Sequence, residues 1–177
     1  MESLVENKEN EDVIISKRDG YVFVVDDDIV YLTMIEEEIK KFLPNARVLS
    51  FKTGEACLEN IQLNPFLILL DYNLSGDEKD SINGLRVLKE IKKSSPGIEV
   101  LMLSGIDDLK VVVSSMKYGA FDYIVKGENA LNSIRSKIGH VVRKMRLQDE
   151  GAEKKQFNWF LKWITICALL IASICYG

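Results

Sequence analysis

Along the chain, short fully apolar runs alternate with stretches whose apolar residues recur every three or four positions. Phe66-Leu67-Ile68-Leu69-Leu70 is apolar at every position and stops abruptly at Asp71. A run this short, bounded by polar loop residues, reads as a strand buried on both faces. Tyr21-Val22-Phe23-Val24-Val25 is a second such run, ending in Asp26, Asp27 and Asp28. Arg47 to Phe51 reads as a shorter strand, Glu99-Val100-Leu101-Met102-Leu103 as a fourth and Asp122-Tyr123-Ile124-Val125 as a fifth.

Between them lie helical patterns. Leu32, Ile35, Ile39 and Phe42 share one face of a segment closed by Pro44. Thr53 is a suitable N-cap for a helix running to Leu63. Leu85, Leu88 and Ile91 oppose Lys89, Lys92 and Lys93, and Pro96-Gly97 breaks that helix. Leu109, Val112, Val113 and Met116 mark a further face, closed by Gly119. A last amphipathic helix carries Leu131, Ile134, Ile138, Val141, Val142 and Met145, with a basic opposite side.

Five β–α units in regular alternation predict an α/β fold with a five-stranded parallel sheet covered on both faces. They fit the flavodoxin-like order 2-1-3-4-5, which makes the first and third strands neighbours at a topological switch point. Ligands bind such sheets beyond the carboxyl ends of the strands. Asp26 and Asp27, Asp71, Ser104 and Lys126 all stand at those ends. An aspartate at a strand end also serves simply to cap the next helix, and Asp28 is read that way.

Clustered carboxylates raise one another's pKa. A hard divalent cation relieves the repulsion with oxygen ligands, and a nearby lysine offsets remaining charge. A carboxylate beside such a cation can act as a nucleophile toward phosphorus.

The chain here resembles the receiver domain of two-component response regulators over about residues 20–147. The match is carried by Val25-Asp26-Asp27-Asp28, by Leu69-Leu70-Asp71-Tyr72-Asn73-Leu74, by Leu103-Ser104-Gly105 and by Gly119-Ala120-Phe121-Asp122-Tyr123-Ile124-Val125-Lys126. The resemblance implies that Asp71 is the phosphoacceptor. Asp26, Asp27, Asp71 and the backbone carbonyl of Asn73 would hold Mg²⁺. Ser104 and Lys126 would bind phosphoryl oxygens, and Tyr123 would be the switch aromatic. Partners would be a histidine kinase or phosphotransfer protein and a downstream protein that reads the helix from Asp107, the fifth strand and the last helix. Catalysis would be limited to the domain's own phosphorylation and dephosphorylation, so it is not expected to be an enzyme otherwise.

Two departures stand out. Gly127 follows the lysine where the family has a proline, usually joined by a cis peptide, which before a non-proline residue costs about 3 kcal/mol. Ser75 replaces another family proline, and Gly76 to Ile82 form an apparent acidic insertion with Asp77, Glu78 and Asp80. Ile106 flanks the path of an attacking water, which predicts slow loss of the phosphoryl group. Three rival readings stand beside this one: a phosphorylation-independent pseudo-receiver, an aspartate-nucleophile phosphatase and a flavin binder. The phosphatase lacks its second aspartate, because Asn73 stands there. The flavin binder would place a phosphate against three carboxylates.

Composition adds the ends. A net charge of −4 over 177 residues gives no indication of nucleic-acid binding. Cys57, Cys167 and Cys175 are scattered and lack metal spacing, and His140 resembles no phosphotransfer motif. Residues 1–19 read as a flexible acidic tail. Residues 148–156 form a polar linker, and residues 157–176 are apolar enough for a membrane-spanning helix about 30 Å long. Trp159 and Trp163 suit an interfacial belt, and Lys154 and Lys155 a cytoplasmic flank. The expectation is a receiver tethered to the cytoplasmic face of a membrane.

Overall fold

The computed structural model describes residues 19–74, 83–105 and 109–176, with side chains through Ile164. Residues 1–18 of the tail expected over 1–19, Ser75, the insertion at 76–82, Ile106 and Asp107 lie outside the described residues. The chain divides into two units, Met1–Val141 and Val142–Gly177.

The first unit is built on β1 (Gly20–Val25), β2 (Ala46–Phe51), β3 (Leu67–Asp71), β4 (Glu99–Ser104) and β5 (Asp122–Val125). All pairs are parallel, and the order is β2-β1-β3-β4-β5. The alternation of apolar runs and amphipathic helices leaves this as the arrangement that buries both faces of the central strands. Every residue of β3 and β4 is buried. Side chains alternate between faces along a strand. Phe23, Val25, Ile68, Leu70, Val100 and Met102 pack with Cys57, Val87, Leu88 and Ile91 into one core cluster. The intervening Val22, Val24, Leu67, Leu69, Leu101 and Leu103 point to the other face and are equally buried.

The connecting helices are α1 (Ile29–Phe42), α2 (Gly54–Glu59), α3 (Gly84–Ser94), α4 (Leu109–Lys117) and α5 (Ala130–Tyr176). Three of them start on a side-chain cap. Asp28 accepts the N–H groups of Val30 and Tyr31, Thr53 that of Ala56, and Asn83 that of Arg86. The helix expected from Thr53 to Leu63 is interrupted at Asn60. A 3-10 turn, Ile61–Leu63, follows, and Asn64 closes it in the left-handed region at φ 51°.

α5 differs from expectation. The polar stretch 148–156 lies inside it, within the one helix Ala130–Tyr176. Its Glu, Lys, Gln and Ala residues are strong helix formers, so helicity persists after the apolar stripe ends. Among the described residues no helix is long and apolar enough to cross a membrane. The spanning helix expected over 157–176 is therefore not found.

Candidate functional site

The sheet order dictates which side chains can meet. β1 and β3 are in register from Val22↔Leu67 to Val25↔Leu70, so the residues that follow, Asp26 and Asp71, emerge side by side. β4 and β5 end together at Ser104↔Val125, and the Lys126 N–H donates to the Ser104 carbonyl at 2.8 Å. That bond fixes where the Lys126 side chain begins.

Asp26 is fully buried. Its Oδ1 accepts the Asp28 N–H at 3.0 Å and its Oδ2 accepts Lys126 Nζ at 2.6 Å. Asp71 is 2% exposed, and its Oδ1 lies 3.1 Å from Lys126 Nζ, an ion pair outside hydrogen-bond alignment. Asp27 is exposed at the rim. Carboxylate oxygens of Asp26, Asp27 and Asp71 all lie within 4.8 Å of one another. Three oxygen donors this close, two of them buried, are a donor set suited to a hard cation that keeps several waters, as Mg²⁺ does.

The electrostatics follow from counting charges. Burial raises the pKa of both Asp26 and Asp71, opposed by Lys126. Asp26 also raises the proton affinity of Asp71, and the Asn73 N–H lowers it. Burial works against the Lys126 charge, but the hydrogen bond it donates to Asp26 and the charges of Asp71 and Asp26 outweigh it. Its pKa ends above the ordinary value. One ammonium thus serves two buried carboxylates, and the pocket carries surplus negative charge.

The other expected residues are placed as follows. Ser104 is fully buried at the end of β4. Tyr123 lies in β5 opposite Met102, partly buried against the core. Asn73 is exposed just past Asp71. Asp28 caps α1. No cis peptide occurs among the described residues, so Lys126–Gly127 is trans.

Two site residues escaped the reading of the sequence. Tyr31, in the first turn of α1, lays its ring 4.6 Å from Lys126 Nζ. Gly84 begins α3 against the backbone of Asp71 and Tyr72. The signal for Tyr31 was present: it is an aromatic one helical turn past an acidic loop. Gly84 had none, since its role depends on a close approach of distant backbone.

A family model for the response regulator receiver domain matches residues 22–138. Among curated proteins, the transcriptional regulatory protein ZraR of Escherichia coli (strain K12) is 30% identical over 106 residues, 59% of this chain and 22% of that protein. The DNA-binding transcriptional regulator NtrC of the same organism is 33% identical over 110 residues, 60% of this chain and 22% of that one. The chain therefore spans about a fifth of the length of these relatives. Among solved structures, the receiver domain of NtrX from Brucella abortus is similar at 27% identity and a TM-score of 0.58, covering 67% of this chain and 98% of that one. The BeF3-activated DrrB receiver domain, a Thermotoga maritima protein, is similar at 25% identity and a TM-score of 0.62, covering 71% of this chain and 99% of that one.

Proposed function

The chain belongs to the response regulator receiver family, and from that membership we propose that Asp71 takes a phosphoryl group from a histidine kinase or phosphotransfer protein. One observation carries the reading. Three carboxylates from two strand ends converge within 4.8 Å, and Lys126 reaches both buried ones. An oxygen of Asp71 attacks phosphorus, the P–N bond of the donor phosphohistidine breaks, and the leaving imidazole nitrogen is protonated. The product is an acyl phosphate on Asp71.

Each residue has a part in this. Lys126 opposes the burial that raises the Asp71 pKa and so favours the carboxylate form that a nucleophile needs. The same ammonium then pairs with a phosphoryl oxygen. Ser104, at the next strand end, supplies a hydroxyl to another. Asp26, Asp27, Asp71 and the Asn73 carbonyl would hold Mg²⁺, which when bound would supply positive charge for the oxygens of the transferring group. The similar receiver domain of DrrB is activated by BeF3, which supports a phosphoryl group here.

The output is a change in protein contacts. Tyr123 is the switch aromatic in this reading. The exposed Leu109, Val113, Met116 and Val125 of α4 and β5 form the surface a downstream protein reads. ZraR and NtrC are transcriptional regulators by name; the partner of this chain is proposed only as a protein. Tethering to the cytoplasmic face of a membrane through residues 157–176 rests on the apolar sequence and on the exposed Phe157, Trp159, Phe160 and Trp163. Carbonate extraction tests it, and release into the soluble fraction refutes it.

Incubation with acetyl phosphate and Mg²⁺, followed by intact mass, tests the central proposal. The wild type gains one phosphoryl group and Asp71→Asn gains none. An unmodified wild type refutes phosphorylation and leaves the pseudo-receiver. Equal modification of the variant refutes Asp71 as acceptor.

A further inference from the structure

Tyr31 is a half-buried residue that the proposed chemistry leaves unused. Its N–H is bound by the Asp28 carboxylate at 3.2 Å, which pins it to the loop that carries Asp26 and Asp27. Its hydroxyl is buried and has no hydrogen-bond partner among the described residues. An unpaired buried hydroxyl disfavours the position. The polar contact that holds the ring there is on its face, where Lys126 Nζ sits 4.6 Å from the centroid, well inside cation–π range.

The value of this contact lies in competition for Asp26. Both Asp26 oxygens are occupied, one by the Asp28 N–H and one by Lys126. A cation drawn to Asp26 competes with the ammonium for the same negative charge and weakens that ion pair. Lys126 then gains from a second contact that does not itself compete for the cation. A second carboxylate in that place would itself draw the cation. An aromatic face attracts an ammonium through its quadrupole and carries no net charge, so it holds Lys126 without spending the charge that phosphoryl oxygens need.

We propose that Tyr31 is a positioning residue for Lys126, its ring seating the ammonium when Asp26 turns to a divalent cation. The inference rests on the cation-holding reading of the pocket given above.

The full-length chain, with Mg²⁺ alone as probe, tests it in two measurements: calorimetric titration of Mg²⁺, and the NMR shift of the Lys126 ε-methylene protons. Wild type and Tyr31→Phe show a ring-current upfield shift of those protons and Mg²⁺ affinities within about twofold of each other. Tyr31→Leu loses the upfield shift and binds Mg²⁺ roughly 3- to 10-fold more weakly, the range expected for a partly desolvated cation–π contact. In a Lys126→Met background Tyr31→Leu changes nothing, because the group it seats is gone. An unchanged affinity in Tyr31→Leu overturns the proposal. So does an equal loss in Tyr31→Phe, which would assign the effect to the hydroxyl. A loss that persists in the Lys126→Met background also overturns it, since the ring would then act only as packing. Failure of the wild type to bind Mg²⁺ defeats the reading of the pocket itself. The ring-current comparison still decides whether ring and ammonium meet.

Discussion

Gly84→Ala probes how tightly α3 is clamped to the strand that carries Asp71, the proposed phosphoacceptor. A Cβ at Gly84 would lie 2.0 Å from the Asp71 carbonyl oxygen and 2.9 Å from both the Asp71 carbonyl carbon and the Tyr72 Cα. A comfortable C···O approach is about 3.3 Å, so a gap of roughly 1.3 Å must open. All three atoms are backbone, and no rotamer change can make room. The helix is also tied in place, since the Gly84 N–H donates to the Tyr72 carbonyl at 3.0 Å and Val87, Leu88 and Ile91 are fully buried. Overpacking costs about 1–3 kcal/mol where side chains give way, and here the rigid part must move, so about 3 kcal/mol or more is expected. The better helix propensity of alanine returns at most about 1 kcal/mol. The net loss of about 2–3 kcal/mol lowers Tm by roughly 5–10 °C in a chain of this size.

The same displacement moves the Asp71 carboxylate relative to Asp26, so Mg²⁺-dependent modification by acetyl phosphate slows as well. Thermal melts by circular dichroism and time-resolved intact mass measure the two effects. Gly127→Ala and Gly151→Ala are the controls, because an added Cβ at either meets nothing within 4 Å. Gly151 lies inside α5, where alanine is favoured by about 0.5–1 kcal/mol. Its variant melts no lower than wild type. A Gly84→Ala protein that melts within about 2 °C of wild type (1 kcal/mol or less, roughly) and phosphorylates at the same rate refutes the clamp.

Asp71→Asn stabilises the fold at neutral pH. The native pKa of Asp71 is raised by burial, so between the ordinary carboxylate value and the raised one the native state holds a proton that the unfolded chain has released. Stability is therefore lost as pH climbs from the ordinary carboxylate value through the raised native one, by about 1.4 kcal/mol for each unit between them. The gain from Asp71→Asn should vanish below the ordinary carboxylate value, and urea unfolding across pH measures it. A variant less stable than wild type at pH 7 would contradict the charge count. Asp28→Ala removes the acceptor of two N–H groups at 2.8 and 3.2 Å. It should cost about 1 kcal/mol, read as a Tm lower by about 2–4 °C; no change would show that solvent caps α1 equally well.

The strand ends were legible because two independent patterns agreed on them. Apolar runs fixed where β1, β3 and β4 stop, and the alternation with helices fixed their order, so Asp26, Asp71, Ser104 and Lys126 fall on one edge. The extent of α5 was not legible. An apolar stripe reports which face of a helix is buried, and 148–156 has none to report, yet its residues favour the helix anyway. The break at Asn60 was equally hidden, since Ile61 and Leu63 continue an apolar pattern while the backbone tightens to a 3-10 turn. Tyr31 and Gly84 act through contacts across 95 residues with Lys126 and across 13 with Asp71. Local pattern is silent about such meetings, which exist only once the sheet has formed.

The pocket is held together by an unequal division of one positive charge. Lys126 stands 2.6 Å from Asp26 and 3.1 Å from Asp71, so Asp71 is the carboxylate with the weaker claim. That suits the proposed role of Asp71 as phosphoacceptor: the lysine opposes the upward push of burial on its pKa while leaving it the looser partner. On the proposed reading, a phosphoryl group on Asp71 adds oxygens that compete with Asp26 for the ammonium. The main chain of Lys126 cannot follow freely, since its N–H is bonded to the Ser104 carbonyl. The proposed switch would therefore pass through the joined ends of β4 and β5. Tyr123, three residues back along the strand, and the exposed Val125 are where a surface contact can register it.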